Sequence, residues 1–338
     1  MTASNITILL TGVAFSAMIG AASAHDPSGK GGVPQAYTKR MVEGVKALDK
    51  MDNSDEAKGI YSRVVQWPPA YAKLRVCFMG GNNESNAKVA QIANRWSDDQ
   101  GMGLKLDFGK AEKPRMCKPG ARESQIRVSY DKPGYWSMLG QYSVVYTAQE
   151  EPSMNLDGMD KNLAALDHPE IQGVILHEFG HAMGFLHEHQ SQASTCGNEF
   201  NWEFITNYLK GAPNNWDDET IKFNLAPLAG EDLMLTDFDA KSVMLYSFPP
   251  EYYLNGDKST CFIPKSNDGI SETDRVTINY MYPADASARV KNFEQSKAQF
   301  MAIWDKAKAE GTTKSVSLNF PDAFFGAKGV AADATDEE

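Results

Sequence analysis

The sequence lacks an excess of positive charge. Its 33 lysines and arginines are outnumbered by 44 aspartates and glutamates, which gives a formal net charge of -11 over 338 residues. Phosphate backbones and anionic lipid surfaces attract proteins with a basic surface. We therefore expect no nucleic acid partner. Of the residues, 42% are hydrophobic, enough for one core of roughly 200 residues or two smaller ones.

Long hydrophobic runs are also missing, except at the N-terminus. The stretch from Ile6 to Gly20 has no charged residue, and the small residues Ala22, Ser23 and Ala24 follow it. This pattern predicts a signal peptide over residues 1–24, because the run is too short to cross a bilayer comfortably. A buried helix or an uncleaved anchor are the alternatives. We expect a secreted or periplasmic protein without a membrane span after signal removal.

Cysteine is scarce, and no C-x-x-C pair occurs, so the cysteines do not resemble zinc ligands. An even number of cysteines in an exported chain favours disulfides. Four cysteines allow three pairings. Proximity along the chain favours Cys77 with Cys117 and Cys196 with Cys261, whereas four buried thiols would indicate a reducing compartment.

The alternation of apolar and polar residues predicts a sheet with a helix packed on it. The predicted strands are Leu74–Met79, Leu104–Phe108, Ile126–Tyr130, Tyr142–Thr147 and Ser153–Leu156, and the helix is Glu84–Trp96. Residues 25–65 are polar, with one amphipathic pattern over Tyr37–Met51, which indicates a pro-segment or linker. Residues 284–338 predict a helical extension, with a helix over Ala286–Glu310, and an acidic disordered tail.

One segment carries a pattern with clear chemistry: His177-Glu178-x-x-His181-x-x-Gly184-x-x-His187. Positions four apart lie on one face of a helix, so His177 and His181 can bind one metal ion at about 2.0–2.1 Å. Gly184 allows the chain to turn back after the helix, which brings His187 to the same ion. Three histidines leave a fourth position for water, as a catalytic zinc site requires. An exposed helix with two histidines is the alternative for a bare H-E-x-x-H, a much weaker signal.

This extended motif resembles that of the metzincin zinc metallopeptidases, and its surroundings are most similar to the astacin family. Phe185 and Glu188 flank the third histidine as they do in that family. Downstream, Ser242-Val243-Met244-Leu245-Tyr246 resembles the Met-turn of the family, and Ser271–Tyr282 is similar to the helix that closes the catalytic domain. Gln190 and Ser191 depart from the pattern, since an arginine-containing run usually follows there.

The resemblance implies an α+β fold with a metzincin-like catalytic domain over residues 66–283. We expect a mixed twisted sheet, a long active-site helix above a zinc cleft and an irregular C-terminal subdomain. It further implies that Met244 lies beneath the zinc ligands and that Tyr246 stabilises an oxyanion. Glu188 is similar to a glutamate that contacts the trimmed N-terminus in the family. Either a further cut near residues 55–60 is implied, or that contact is absent here.

The expected activity is zinc-dependent hydrolysis of peptide bonds by a monomer that binds one catalytic zinc ion. Glu178 would act as general base on a zinc-activated water. A protein or peptide substrate would add a strand to a sheet edge, for which Ser153–Leu156 is the candidate. We interpret His189 as a solvated neighbour of the site.

Two other functions remain open at this stage. One is a secreted binding protein that keeps the metzincin fold without activity. The other is a metal-dependent hydrolase that acts on a non-peptide bond. Loss of activity in Glu178→Ala would separate an enzyme from a binding protein, and a substrate panel would separate the two kinds of hydrolase.

Overall fold

The computed structural model describes residues 39, 43, 51, 65–97, 101–120, 123–212, 215–228, 237–315 and 324–325. The predicted signal peptide, most of residues 25–65 and the acidic C-terminal tail lie outside the described residues. The amphipathic helix predicted over Tyr37–Met51 also lies outside them, apart from three single positions.

A mixed five-stranded sheet forms one layer of the fold, in the order β2-β1-β5-β7-β6. Its strands β1, β2, β5 and β7 are parallel, and β6 is antiparallel to β7. A two-stranded hairpin, β3-β4, stands beside it. The bounds are β1 Lys73–Phe78, β2 Lys105–Asp107, β3 Gly109–Lys110, β4 Lys113–Pro114, β5 Ile126–Ser129, β6 Tyr135–Ser137 and β7 Met154–Leu156.

The sheet topology overturns the predicted substrate edge. The strand at Met154–Leu156 pairs with β5 on one side and with β6 on the other, so it is an interior strand. Its residues are buried, as expected for a strand with neighbours on both sides. The outer strands of this sheet are β2 and β6, and β6 packs against the helix that carries His177.

The other regular elements of the described chain are helices. The α-helices are α1 Asn83–Ala93, α2 Tyr142–Val145, α3 Pro169–Ala182, α4 Cys196–Glu199, α5 Trp202–Lys210, α6 Asp218–Leu225, α7 Glu272–Met281 and α8 Ala286–Glu310. Short 3-10 helices occur at Asn94–Trp96, Leu163–Asp167, Glu188–Gln190, Pro250–Tyr252, Gly256–Lys258 and Thr312–Ser315. In the described part of the chain, no helix has both the length and the apolar character needed to cross a membrane.

The main core lies between the sheet and α3. This helix begins with Pro169, whose missing N–H would be unpaired in a first turn anyway. Its apolar side, including Ile175 and Phe179, is fully buried with the strand residues Val76 and Ile126. The indole of Trp96 donates a hydrogen bond to the carbonyl of Leu176 at 2.9 Å, which fixes α3 against the end of α1.

One predicted strand is a helix. Residues 142–147 are rich in aromatic and β-branched side chains, which favour strands in isolation, but Tyr142–Val145 forms the single helical turn α2. The reason is tertiary packing: helical spacing places the rings of Tyr142 and Tyr146 4.9 Å apart, and both rings pack against Phe324. The strand that follows β5 along the chain is instead β6, which the sequence pattern did not reveal.

The C-terminal helix α8 contributes to a second apolar cluster. Its side chains Phe300, Trp304 and Ala307 are buried together with Met138 and Tyr142. Met51, Val65 and Phe324 complete the buried set. Residues that precede the histidine motif in sequence and residues that follow it therefore pack together in this second cluster.

Both predicted disulfides are confirmed. Cys77 is bonded to Cys117, which ties β1 to the segment after β4. Cys196 is bonded to Cys261, which ties α4 to the segment after the last-but-one 3-10 helix. None of the four cysteines is free.

Candidate active site

Three histidines converge at the C-terminal end of α3. His177 and His181 project from the helix one turn apart, and His187 reaches them from the segment after it. One ring nitrogen from each lies within 4.8 Å of the other two, and all three side chains are buried. The Nε2 atoms of His181 and His187 are 2.9 Å apart. The structure thus brings the three predicted ligands together.

The return of the chain depends on Gly184. Its φ of 101° lies in the left-handed region, which glycine adopts without a steric penalty. The amide of Gly184 donates to the carbonyl of His181 at 2.8 Å, and the amide of Phe185 donates to that of Gly180 at 3.0 Å. This pair of hydrogen bonds is the Schellman pattern, which satisfies the last carbonyls of a helix. It places His187 three residues later, beside His181.

The second ring nitrogens of the two helical histidines define their tautomers. Nδ1 of His177 lies 2.8 Å from the carbonyl oxygen of Val243, and Nδ1 of His181 lies 2.8 Å from that of Phe185. A carbonyl oxygen only accepts, so each Nδ1 carries the proton and each Nε2 keeps its lone pair. Neutral imidazole nitrogens of this kind are typical ligands of catalytic zinc. The donor set fits zinc.

Glu178 follows His177 directly on α3 and is 0% exposed. Neither oxygen of its carboxylate has a hydrogen-bond partner within the described chain. Burial raises the pKa of Glu178 well above its ordinary value. A buried carboxylate without a protein partner is costly for folding, which is a common feature of groups kept for chemistry.

Tyr246 packs against two of the three histidines. Its ring centroid lies 4.3 Å from that of His187 and 5.2 Å from that of His177. Burial and the neighbouring charge of Glu178 raise the pKa of Tyr246 well above its ordinary value. The phenol is therefore a hydrogen-bond donor at neutral pH.

Met244 lies directly beneath α3, where the absence of a side chain at Gly180 makes room for it. A Cβ atom at Gly180 would stand 2.5 Å from the sulfur of Met244. The carbonyl of Met244 also accepts a hydrogen bond from the amide of Glu188 at 3.1 Å. Sequence reasoning missed Gly180, although a glycine inside a helix that holds metal ligands is a signal of close approach.

Asp274 is a second residue that sequence reasoning missed. Its side chain, on the first turn of α7, accepts hydrogen bonds from the hydroxyl of Ser242 at 2.7 Å and from the amide of Val243 at 2.9 Å. Burial raises the pKa of Asp274, and these hydrogen bonds act in the opposite direction. Asp274 therefore fixes the turn whose carbonyl orients His177.

Glu188 lines a cavity of about 300 Å³ together with Gln66, Trp67, Asp274 and Arg289. Its carboxylate accepts a hydrogen bond from the amide of Asp239 at 2.8 Å. Burial raises the pKa of Glu188 to about 7, with contributions from the charges of Asp274 and Asp239. The carboxylate of Glu188 thus lines the same cavity as Gln66 and Trp67.

The prediction that His189 is a solvated neighbour of the site is wrong. Its side chain is fully buried. Its ring stacks on that of His187 at 5.1 Å and meets the ring of Phe248 edge-on at 5.2 Å. Nε2 of His189 lies 3.1 Å from the carbonyl oxygen of Asn224, at the end of α6. The prediction was wrong because the segment after His187 turns inward and packs on the apolar cluster that contains Phe200 and Phe248.

Comparison with known proteins shows which family this site resembles. Residues 157–283 match the sequence profile of the peptidase family described as "Astacin". The solved structure of myroilysin is similar, with 27% identity and a TM-score of 0.52, over 65% of this chain and 96% of that chain. A further match is the structure of high choriolytic enzyme 1 (HCE-1), a hatching enzyme zinc-protease from Oryzias latipes (medaka fish). It has 16% identity and a TM-score of 0.40, over 63% of this chain and 90% of that chain. No curated protein matches the chain.

The matched range contains the three histidines, Glu178, the turn with Met244 and the helix α7. Residues 157–283 therefore match the astacin peptidase family across the whole candidate site, and the chain is a zinc metalloendopeptidase.

Proposed function

We propose that the chain is an exported endopeptidase in which His177, His181 and His187 hold one zinc ion and Glu178 is the general base. The observation that carries the proposal is the position of the Glu178 carboxylate. It is fully buried, its charge acts on Tyr246, whose ring packs against those of two histidines, and neither of its oxygens has a hydrogen-bond partner within the described chain. The carboxylate can therefore accept a proton from a water molecule and pass it on.

A zinc ion held at these nitrogens would supply a Lewis acid that polarises a peptide carbonyl and lowers the pKa of a water molecule. Glu178 takes the proton of the attacking water and gives it to the nitrogen of the leaving amine. The hydroxyl of Tyr246 donates a hydrogen bond to the carbonyl oxygen as negative charge develops there. The hydrogen bonds from Nδ1 of His177 and His181 to backbone carbonyls hold the rings in one orientation throughout.

An extended peptide would bind beside β6. This strand is an outer strand of the sheet and packs against α3, so a peptide paired with it would pass the histidine cluster. Main-chain pairing of this kind gives affinity without strong demands on side chains.

Export of the protein is supported by its cysteines. The chain has two disulfides. Disulfides persist in oxidising compartments and are rare in the cytosol. We therefore propose that residues 1–24 direct the chain to the periplasm or out of the cell.

The test is cleavage of an unfolded protein by the wild type, by Glu178→Gln and by the control Glu170→Gln. Glu170 lies on the first turn of the same helix, far along the axis from the histidines. Zinc content is measured for each protein. We expect the wild type and the control to cut, and Glu178→Gln to bind zinc without cutting.

A wild type that is folded and zinc-loaded but cuts no peptide bond, even after removal of residues 25–60, would refute the proposal in favour of a binding protein. Equal cleavage by Glu178→Gln would refute the role of Glu178 alone.

A further inference from the structure

Gln190 makes a set of hydrogen bonds that leads from the third histidine to another helix. Its side chain is buried, with 3% exposed. Oε1 lies 3.1 Å from Nδ1 of His187. Nε2 lies 3.0 Å from the carbonyl oxygen of Phe223 and 3.1 Å from that of Ala226. All three distances are those of ordinary hydrogen bonds.

The two backbone carbonyls decide which way the amide group of Gln190 points. A carbonyl oxygen can only accept, so the NH₂ group must face Phe223 and Ala226 and donate one hydrogen to each. The reverse orientation would bring three oxygens together without a proton between them. Oε1 therefore faces His187, where it can only accept.

This orientation fixes the tautomer of His187. Because Oε1 of Gln190 accepts, Nδ1 of His187 must carry the proton, and Nε2 keeps its lone pair toward the other two ligands. His177 and His181 reach the same state through backbone carbonyls. His187 lies beyond the helix, on the turn before the 3-10 helix Glu188–Gln190, and uses a side chain instead.

We propose that Gln190 is a positioning residue for the third zinc ligand: it sets the tautomer and ring orientation of His187 and anchors that ligand to the C-terminal end of α6. The backbone supports the same link, since the amide of Leu228 donates to the carbonyl of Gln190 at 2.9 Å. Outer hydrogen-bond partners of this kind change metal affinity by about 10–100-fold when they are removed.

The inference rests on the zinc site of the proposed function, and its test is the zinc affinity of the full chain, measured by competition with a chelator. Gln190→Met has a similar length and removes both hydrogen-bond functions. Gln190→Glu keeps an acceptor for His187 but has no donors for Phe223 and Ala226. The control is Gln125→Met, because Gln125 is equally buried and accepts a hydrogen bond from the amide of Arg75 at 2.7 Å, away from the histidines.

We expect the dissociation constant for zinc to rise about 10–100-fold in Gln190→Met. In Gln190→Glu and in Gln125→Met it should stay within about 3-fold of the wild type, although the midpoint of thermal unfolding of the metal-free protein falls in all three variants. If Gln190→Glu keeps the zinc affinity but not the stability, the effect of Gln190 on zinc comes from its hydrogen bond to His187 and not from its packing.

Wild-type affinity in Gln190→Met would overturn the inference, because Gln190 would then only pack. An equal loss in Gln190→Met and Gln190→Glu would also overturn it, since acceptance from His187 would not matter. A wild type that binds no zinc would overturn the proposed function as well, whereas the other two results leave that function intact.

Discussion

The carboxylate of Asp274 accepts a hydrogen bond from the hydroxyl of Ser242 at 2.7 Å and so joins α7 to the turn that contains Met244. The same carboxylate accepts from the amide of Val243, and the carbonyl of Val243 accepts from Nδ1 of His177. The helix α7 contributes no candidate ligand, but two hydrogen bonds connect it to His177 through Val243.

Asp274→Ala should weaken this connection. It leaves the buried Ser242 hydroxyl and Val243 amide without their acceptor, which costs about 1–3 kcal/mol of unfolding free energy. Urea unfolding of the metal-free protein measures the change. The control is Glu272→Ala, an exposed carboxylate on the same helical turn, which should change stability by less than about 0.5 kcal/mol. Equal losses in both variants would show that the helix, and not the link to Ser242, is responsible.

Tyr246→Phe should lower kcat by about 10²-fold, because it removes one donor to the developing oxyanion and leaves the ring in place. KM and zinc affinity should change little, since the hydroxyl acts on the transition state. Steady-state kinetics with a peptide substrate measures both parameters.

Tyr253→Phe is the matched control for that variant. Tyr253 is a buried tyrosine of the same apolar cluster, and its hydroxyl donates to the carbonyl of Cys261 at 3.0 Å. Its loss should lower stability without lowering kcat. A similar fall in kcat in both variants would contradict a specific role of Tyr246.

The zinc cluster could be predicted because its residues are close along the chain. Helix geometry alone places His177 beside His181, and a glycine at the helix end provides the turn toward His187. Family resemblance was needed for Met244 and Tyr246, since no local pattern connects them to the motif. The disulfide pairs followed from proximity along the chain and are confirmed.

The supporting hydrogen bonds could not be predicted, because their partners are distant in sequence. Asp274 is 32 residues from Ser242, and Gln190 is 33 residues from Phe223. The interior position of Met154–Leu156 depends on β6, a strand of three residues with little periodicity of its own. At residues 142–147 local strand propensity was overridden by packing against α8 and Phe324.

Trp304→Ala tests whether α8 stabilises the catalytic domain. The indole is buried against the cluster that contains Met138 and Tyr142, so its removal should cost about 3–5 kcal/mol of unfolding free energy. Val290→Ala on the same helix is the control, because Val290 is 50% exposed and its loss should cost less than about 0.5 kcal/mol. Urea unfolding measures both. A Trp304→Ala variant as stable as the control would mean that α8 can leave the domain without penalty.

Glu199 gives a prediction on pH. Partial burial raises the pKa of Glu199, but hydrogen bonds from Ser259, Thr195 and Thr260 outweigh that effect and lower the pKa to about 2, from an ordinary value of 4.5. The folded protein thus binds this proton less readily than the unfolded chain does. The stabilisation is complete above pH 4.5 and is lost as the pH falls toward 2.

Glu199→Gln should therefore lower the midpoint of thermal unfolding at pH 7, and the difference from the wild type should shrink as the pH falls from about 4.5 toward about 2. Thermal unfolding followed by circular dichroism over this range measures the difference. Glu203→Gln, at an exposed position of the neighbouring helix α5, should match the wild type at pH 7. A Glu199→Gln difference that stayed constant over this pH range would contradict the prediction. The hydrogen bonds of the folded state would then not favour the charged form of Glu199, and packing and the disulfide alone would hold the region around Cys196 and Cys261.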